Sequence, residues 1–177
     1  MKKILSLLYF LCCCLFLFGC NSVESISASS GISSGGSLSS ENISSEQFQI
    51  QKYESPEEFA ESTGLKMYMK QSEYSSDTEY VSAYVENPTE FEAGMGAEWR
   101  IERYYSEQGF KPIAFKEDFD GFSLTWYEIL PNKTASNSAN LSGLAEKLSP
   151  GRYRLVFTSV VLDGVASGCL AAEFIIK

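Results

Sequence analysis

The stretch Lys116-Glu117-Asp118-Phe119-Asp120-Gly121 sets three carboxylates within four positions and follows them with a glycine. Hard oxygen ligands spaced in this way could clasp a calcium ion, with Asp118 and Asp120 as the weak candidate donors. An EF-hand loop, however, needs further spaced oxygens and a distal glutamate, and Phe122, Leu124 and Trp126 stand in the positions that follow. A solvated turn is the plainer reading, so no metal is assigned. Zinc fits worse, because the chain contains no histidine. Paired acids recur at Glu57/Glu58 and Glu90/Glu92. Glycosidase chemistry needs two carboxylates facing each other across a cleft, which spacing along the chain does not establish.

Nucleophile motifs fare no better. Gly31-Ile32-Ser33-Ser34-Gly35 matches the G-x-S-x-G pattern. That elbow requires a strand before it, a helix after it and a histidine partner, and here it lies in a serine-glycine run. Cys169 sits in the apolar run Gly168-Cys169-Leu170-Ala171-Ala172. Without a histidine to activate it, a buried and inert thiol is expected. No catalytic residue and no cofactor is therefore assigned.

The aromatic residues are the better candidates for a binding role. Tyr80, Tyr84, Trp99, Tyr104, Tyr105, Trp126 and Tyr127 fall in apparent strands. Neighbours such as Tyr104 and Tyr105 must point to opposite faces of a strand. One face belongs to the core, and the other is available for peptide or glycan contact, with Tyr84, Tyr104 and Tyr105 as the named candidates. The alternative is a sheet face covered by a loop.

Period-two alternation identifies the elements that would carry these rings. Tyr80 to Glu86, Trp99 to Tyr105, Tyr153 to Ser159 and Ala172 to Lys177 alternate apolar and polar side chains, and Leu65 to Lys70 and Phe122 to Leu130 add two more strands. Asn87-Pro88 and Pro150-Gly151 supply turns. Tyr153 after Pro150-Gly151 suits a tyrosine corner, with its ring in the core and its hydroxyl on backbone. Ser55-Pro56-Glu57-Glu58 starts a short helix that Gly64 stops, and Leu141 to Leu148 suggests one further helical turn. About 130 residues from Phe48 onward suit one domain. Strands of this number and spacing imply an all-β antiparallel sandwich with a short N-terminal helix.

From Asn21 to Gln47 there are 12 serines and 3 glycines in 27 residues. Such a segment cannot bury enough apolar surface to offset its ordering entropy, so it is expected to be a disordered tether. Its typical reach is on the order of 30 Å. Ahead of it, Lys2 and Lys3 precede the apolar run Ile4 to Phe18, the layout of a secretory signal. The run is short for a spanning helix, which wants roughly 20 residues. Leu17-Phe18-Gly19-Cys20 resembles the lipobox of bacterial lipoproteins. The resemblance implies cleavage before Cys20, lipidation of its thiol and stable anchoring on the outer side of the cell membrane. An uncleaved anchor and an ordinary secretory signal are the alternatives. The expected boundaries are 1–19 for the signal, 20–47 for the lipidated cysteine and linker, and 48–177 for the domain. Loss of residues 1–19 leaves 12 basic and 23 acidic side chains, a net charge of −11. That charge disfavours nucleic acid and anionic lipid as ligands.

Three stretches resemble a family of bacterial immunoglobulin-like domains found in lipoproteins of Gram-positive bacteria. They are Val85-Glu86-Asn87-Pro88-Thr89 with Gly96 and Trp99-Arg100-Ile101-Glu102, then Leu148 to Leu155, then Ala172-Glu173-Phe174-Ile175-Ile176. The chain departs from the family pattern at Gly109-Phe110 and in a polar insertion from Lys133 to Asn140. The resemblance implies an immunoglobulin-like β-sandwich and brings no catalytic residues. The expected function is a non-enzymatic module that binds a protein or an envelope polymer. A passive spacer and a carboxylate-based envelope enzyme or enzyme modulator are the alternatives.

Overall fold

A computed structural model describes residues 49–177. The expected signal peptide, Cys20 and the tether lie outside the described residues. Two long strands organise the domain: β10 (Gly151–Leu162) and β11 (Ala166–Ile176) form an antiparallel hairpin whose pairing runs from Gly151↔Ile176 to Leu162↔Ala166. Its turn runs through Asp163 and Gly164, both at positive φ, a backbone that matches the twist of the flanking strands.

A register shift between Phe157 and Val160 divides β10. Its first half pairs with β6 (Trp99–Tyr105), which in turn pairs with β7 (Gly109–Pro112). Its second half pairs with β5 (Ala93–Gly96), which in turn pairs with β8 (Trp126–Ile129). Two short strands, β1 (Gln51–Lys52) and β3 (Glu73–Tyr74), run parallel to β11 at its two ends. The second sheet has the order β2-β4-β9, from β2 (Lys66–Met69), β4 (Tyr80–Asn87) and β9 (Lys133–Asn140).

Alternation decides what fills the space between the sheets. Val81, Ala83 and Val85 of β4 are fully buried, as are Ile101, Leu155 and Phe157, with Phe174 and Ile176 almost so. Each large aliphatic or aromatic side chain so buried contributes roughly 1.5–3 kcal/mol relative to exposure. The fold is thus a mostly β sandwich with one short helix, as the sequence predicts. The tyrosine corner is also in place: the Tyr153 ring is buried, and its hydroxyl donates to the carbonyl of Ser149 at 2.6 Å.

Helix α1 (Pro56–Thr63) forms where its caps require it. The Ser55 hydroxyl accepts from the Glu58 amide, Pro56 occupies the first turn, and Gly64 closes the helix at φ 75°. Phe59 is fully buried against Gly168 of β11, where a Cβ would fall 2.6 Å from the ring.

Three sequence expectations need correction. Lys133 to Asn140, taken as an insertion, is strand β9, paired with β4 along its whole length from Asn87↔Lys133 to Tyr80↔Asn140. Its inward side chains are only Ala135, Asn137 and Ala139, too small and polar to mark a strand by hydrophobicity. The strand expected over Phe122 to Leu130 is confined to Trp126–Ile129, because Phe122 turns into an aromatic cluster. The turn expected over Leu141 to Leu148 is confined to a 3₁₀ turn at Leu141–Gly143, capped by the Asn140 side chain.

Candidate binding groove

Trp99, Phe119 and Phe122 line one side of a concavity, with Phe115 packed against all three. Trp99, at the start of β6, packs against Phe115 at 5.2 Å and Phe122 at 5.6 Å between centroids. Phe119 stacks on Phe115 at 4.4 Å and meets Phe122 at 5.1 Å. The loop bearing these phenylalanines is tied down by backbone. Lys116 donates to Gly143 and Ala145 donates to Ala114, both at 2.9 Å. Gly143 is required here, since a Cβ would fall 2.9 Å from the Phe119 ring.

The groove beside this cluster has a volume of about 510 Å³, within the range of small-ligand sites. Its polar lining includes Asp118, Asp120, Ser123, Asn137 and Ser142, with Lys116 as its single cation. Asp118 and Asp120 are exposed, whereas the rings of Phe119 and Phe122 are half-buried. The two acids expected on a solvated turn therefore stand at the mouth of a groove with an aromatic wall. Among the described residues, no group of three or more His, Cys, Asp or Glu is placed to hold a metal ion.

Two asparagines of the second sheet contrast sharply. Asn87 is fully buried, and its amide is spent inside the protein. Its nitrogen donates to the Phe91 and Ile129 carbonyls, and its oxygen accepts from the Thr89 amide and hydroxyl. Asn137, on β9 at the groove, accepts from the Ser138 amide at 2.7 Å, which fixes the orientation of its side chain. Its Nδ2 is buried and donates to nothing. An unmatched buried donor of this kind costs about 1–3 kcal/mol.

The tyrosines singled out from sequence do not converge. Tyr84 lies half-buried on the outer face of the second sheet, 5.5 Å from exposed Tyr68. Tyr104 lies on the outer face of the first sheet, packed on Phe110 at 5.2 Å with the Arg152 guanidinium 4.6 Å above its ring. Arg152 is itself held by Glu173 through two hydrogen bonds of 2.6 and 2.8 Å. Tyr105 points the other way, beside Arg103. The opposition of Tyr104 and Tyr105 is as strand geometry demands, and it separates them as ligand contacts.

Beneath Tyr104 on the same face, Glu102 is 4% exposed. It accepts from Arg100 at 2.6 Å and Arg154 at 2.5 Å, and Arg154 also reaches Glu57 of α1 at 2.8 Å. Burial raises the Glu57 pKa, but hydrogen bonds from Ser55, the backbone and Arg154 outweigh it and leave the carboxyl below its ordinary value. Cys169 is buried and donates to the Glu54 carbonyl at 3.6 Å. Burial pushes its thiol pKa up, against the pull of nearby Arg100. Both sites are built for structure.

Sequence reading found the acids of the groove and, within its aromatic set, Trp99 and Tyr127; it did not single out Phe119, Phe122 or Asn137 as site residues. Phe115, Phe119 and Phe122 give a spacing that could have marked a loop cluster. Asn137 carried no signal, because its strand was not recognised.

Residues 61–173 match the model of a family described as a bacterial Ig-like domain. No curated protein matches the chain. Among solved structures, the chain is similar to the Pseudomonas fluorescens alkylpurine DNA glycosylase AlkC bound to DNA containing an abasic site analog. The identity is 13% and the TM-score 0.33, over 64% of this chain and 30% of that one. The chain thus spans less than a third of the length of that enzyme.

Proposed function

The chain belongs to the bacterial Ig-like domain family, and from that premise we propose that it is a non-enzymatic interaction module displayed on the outer side of a bacterial membrane. A lipid on Cys20 anchors it, and the serine- and glycine-rich segment 21–47 sets the domain off from the surface. The family match supports the interaction role at a coarse level. The observation that carries binding is the groove, where half-buried aromatic rings, exposed carboxylates and an unmatched amide donor meet. The anchor rests on Leu17-Phe18-Gly19-Cys20 and the apolar run before it.

Two arms test this reading. Full-length chain produced in a Gram-positive host fed labelled palmitate is expected to carry label and sediment with membranes, while Cys20→Ser carries none. Labelling of Cys20→Ser equal to that of the parent would refute the anchor. In the second arm, the full-length chain in detergent is expected to be retained by isolated envelope material. Absence of retention would favour a spacer.

A further inference from the structure

We propose that the groove between the aromatic cluster and β9 is a binding site for an uncharged oligosaccharide. This rests on the interaction-module reading and names its ligand class. The lining selects the chemistry. The half-buried rings of Phe119 and Phe122 offer apolar surface suited to the C–H face of a sugar ring. Asp118 and Asp120 are acceptors only, so they call for a ligand rich in hydroxyl or amide donors. Asn137 lines the groove from β9, and its buried Nδ2 is a donor without an acceptor. A ligand oxygen seated there, with a small outward shift of the lining, supplies the acceptor. A saccharide carries donors, acceptors and an apolar ring face on one rigid unit.

Charge narrows the class further. Two exposed carboxylates face the groove against one lysine, and the chain as a whole is strongly acidic. Uronate or phosphate polymers would meet repulsion, so the sugar is neutral. β9 is an edge strand of its sheet, so an extended peptide is the competing ligand; peptides bind such an edge mainly through main-chain hydrogen bonds, whereas this groove presents ring faces, carboxylates and amide side chains.

The test is calorimetric titration of the full-length chain in detergent with two neutral probes, the β-1,4-linked trimers of N-acetylglucosamine and of glucose. A trimer of galacturonate serves as the anionic control. At least one neutral trimer is expected to bind, and the anionic trimer to bind at least tenfold more weakly. The double variant Asp118→Asn/Asp120→Asn, altered only at exposed positions, is expected to weaken neutral binding at least tenfold. Tyr84→Ser, on the outer face of the second sheet, is expected to leave it unchanged. The proposal is overturned if no neutral trimer binds at millimolar concentration, if the anionic trimer binds as well, if the double variant binds like the parent, or if Tyr84→Ser weakens binding as much as the double variant does. If the sugars fail while the chain is still retained by envelope material, only the ligand class falls. If retention fails as well, the interaction module falls with it.

Discussion

Tyr153 buries its ring between the sheets while its hydroxyl reaches back four residues to Ser149, so Tyr153→Phe removes one hydrogen bond and little else. A single internal hydrogen bond is worth about 1 kcal/mol net. Urea denaturation is expected to show a loss of about that size with an unchanged slope, and a loss near zero would deny the corner its role. Asn137 should behave in the opposite sense. Asn137→Ala deletes a donor that finds no acceptor, and it stands between Ala135 and Ala139 on the inward side of β9. Its unfolding free energy is expected to match or exceed that of the parent by up to about 1 kcal/mol. A clear destabilisation would mean that the amide is satisfied within the fold. These two residues also mark how far sequence reading reaches. Tyr153 was legible because a Pro-Gly turn and an alternating strand flank it. Asn137 was not, because its environment is assembled from segments that meet only on folding.

At the scale of elements, helix α1 is held to the first sheet from two sides. Phe59 inserts over Gly168, and Glu57 bridges to Arg154, which continues into the buried carboxylate of Glu102. The helix was legible from its caps, but its docking was not, since Arg154 lies 97 residues from Glu57. The same limit explains β9, whose alternation is written in alanine and serine and shows only once β4 lies beside it. The Glu57 clamp carries a pH signature. The carboxyl sits below its ordinary value of 4.5 in the folded protein, so its contribution is complete above that value. The contribution is lost as pH falls through the folded value. Glu57→Gln is therefore expected to lower stability slightly at neutral pH and to flatten the decline on acidification below about pH 4.5. Because the side chain is largely exposed, the effect is a few tenths of a kcal/mol. Parallel thermal melts of parent and variant across that range would check it, and identical acid slopes would count against the clamp.

For the molecule as a whole, the question is whether the sandwich opens as one unit. Strand β11 is the common partner of β1, β3 and β10, so the first described strand pairs directly with the last. Cys169 reports on that junction, because it lies on β11 under the segment joining β1 to α1 and touches the Glu54 carbonyl. Exposing the thiol requires only that β1 and α1 lift away, whereas the hairpin and the β2-β4-β9 sheet can stay paired. Labelling by a thiol reagent at pH 8, in a chain with Cys12, Cys13, Cys14 and Cys20 replaced by serine, is therefore expected to depend on urea less steeply than global unfolding does. Gly168→Ala brings a Cβ against the Phe59 ring. It is expected to speed labelling by weakening the helix seat by about 1–3 kcal/mol, with a smaller effect on the global midpoint. If the labelling slope equals the global slope, the N-terminal segment is locked into the cooperative core. A partner pulling on that segment would then have to unfold the whole sandwich to release it.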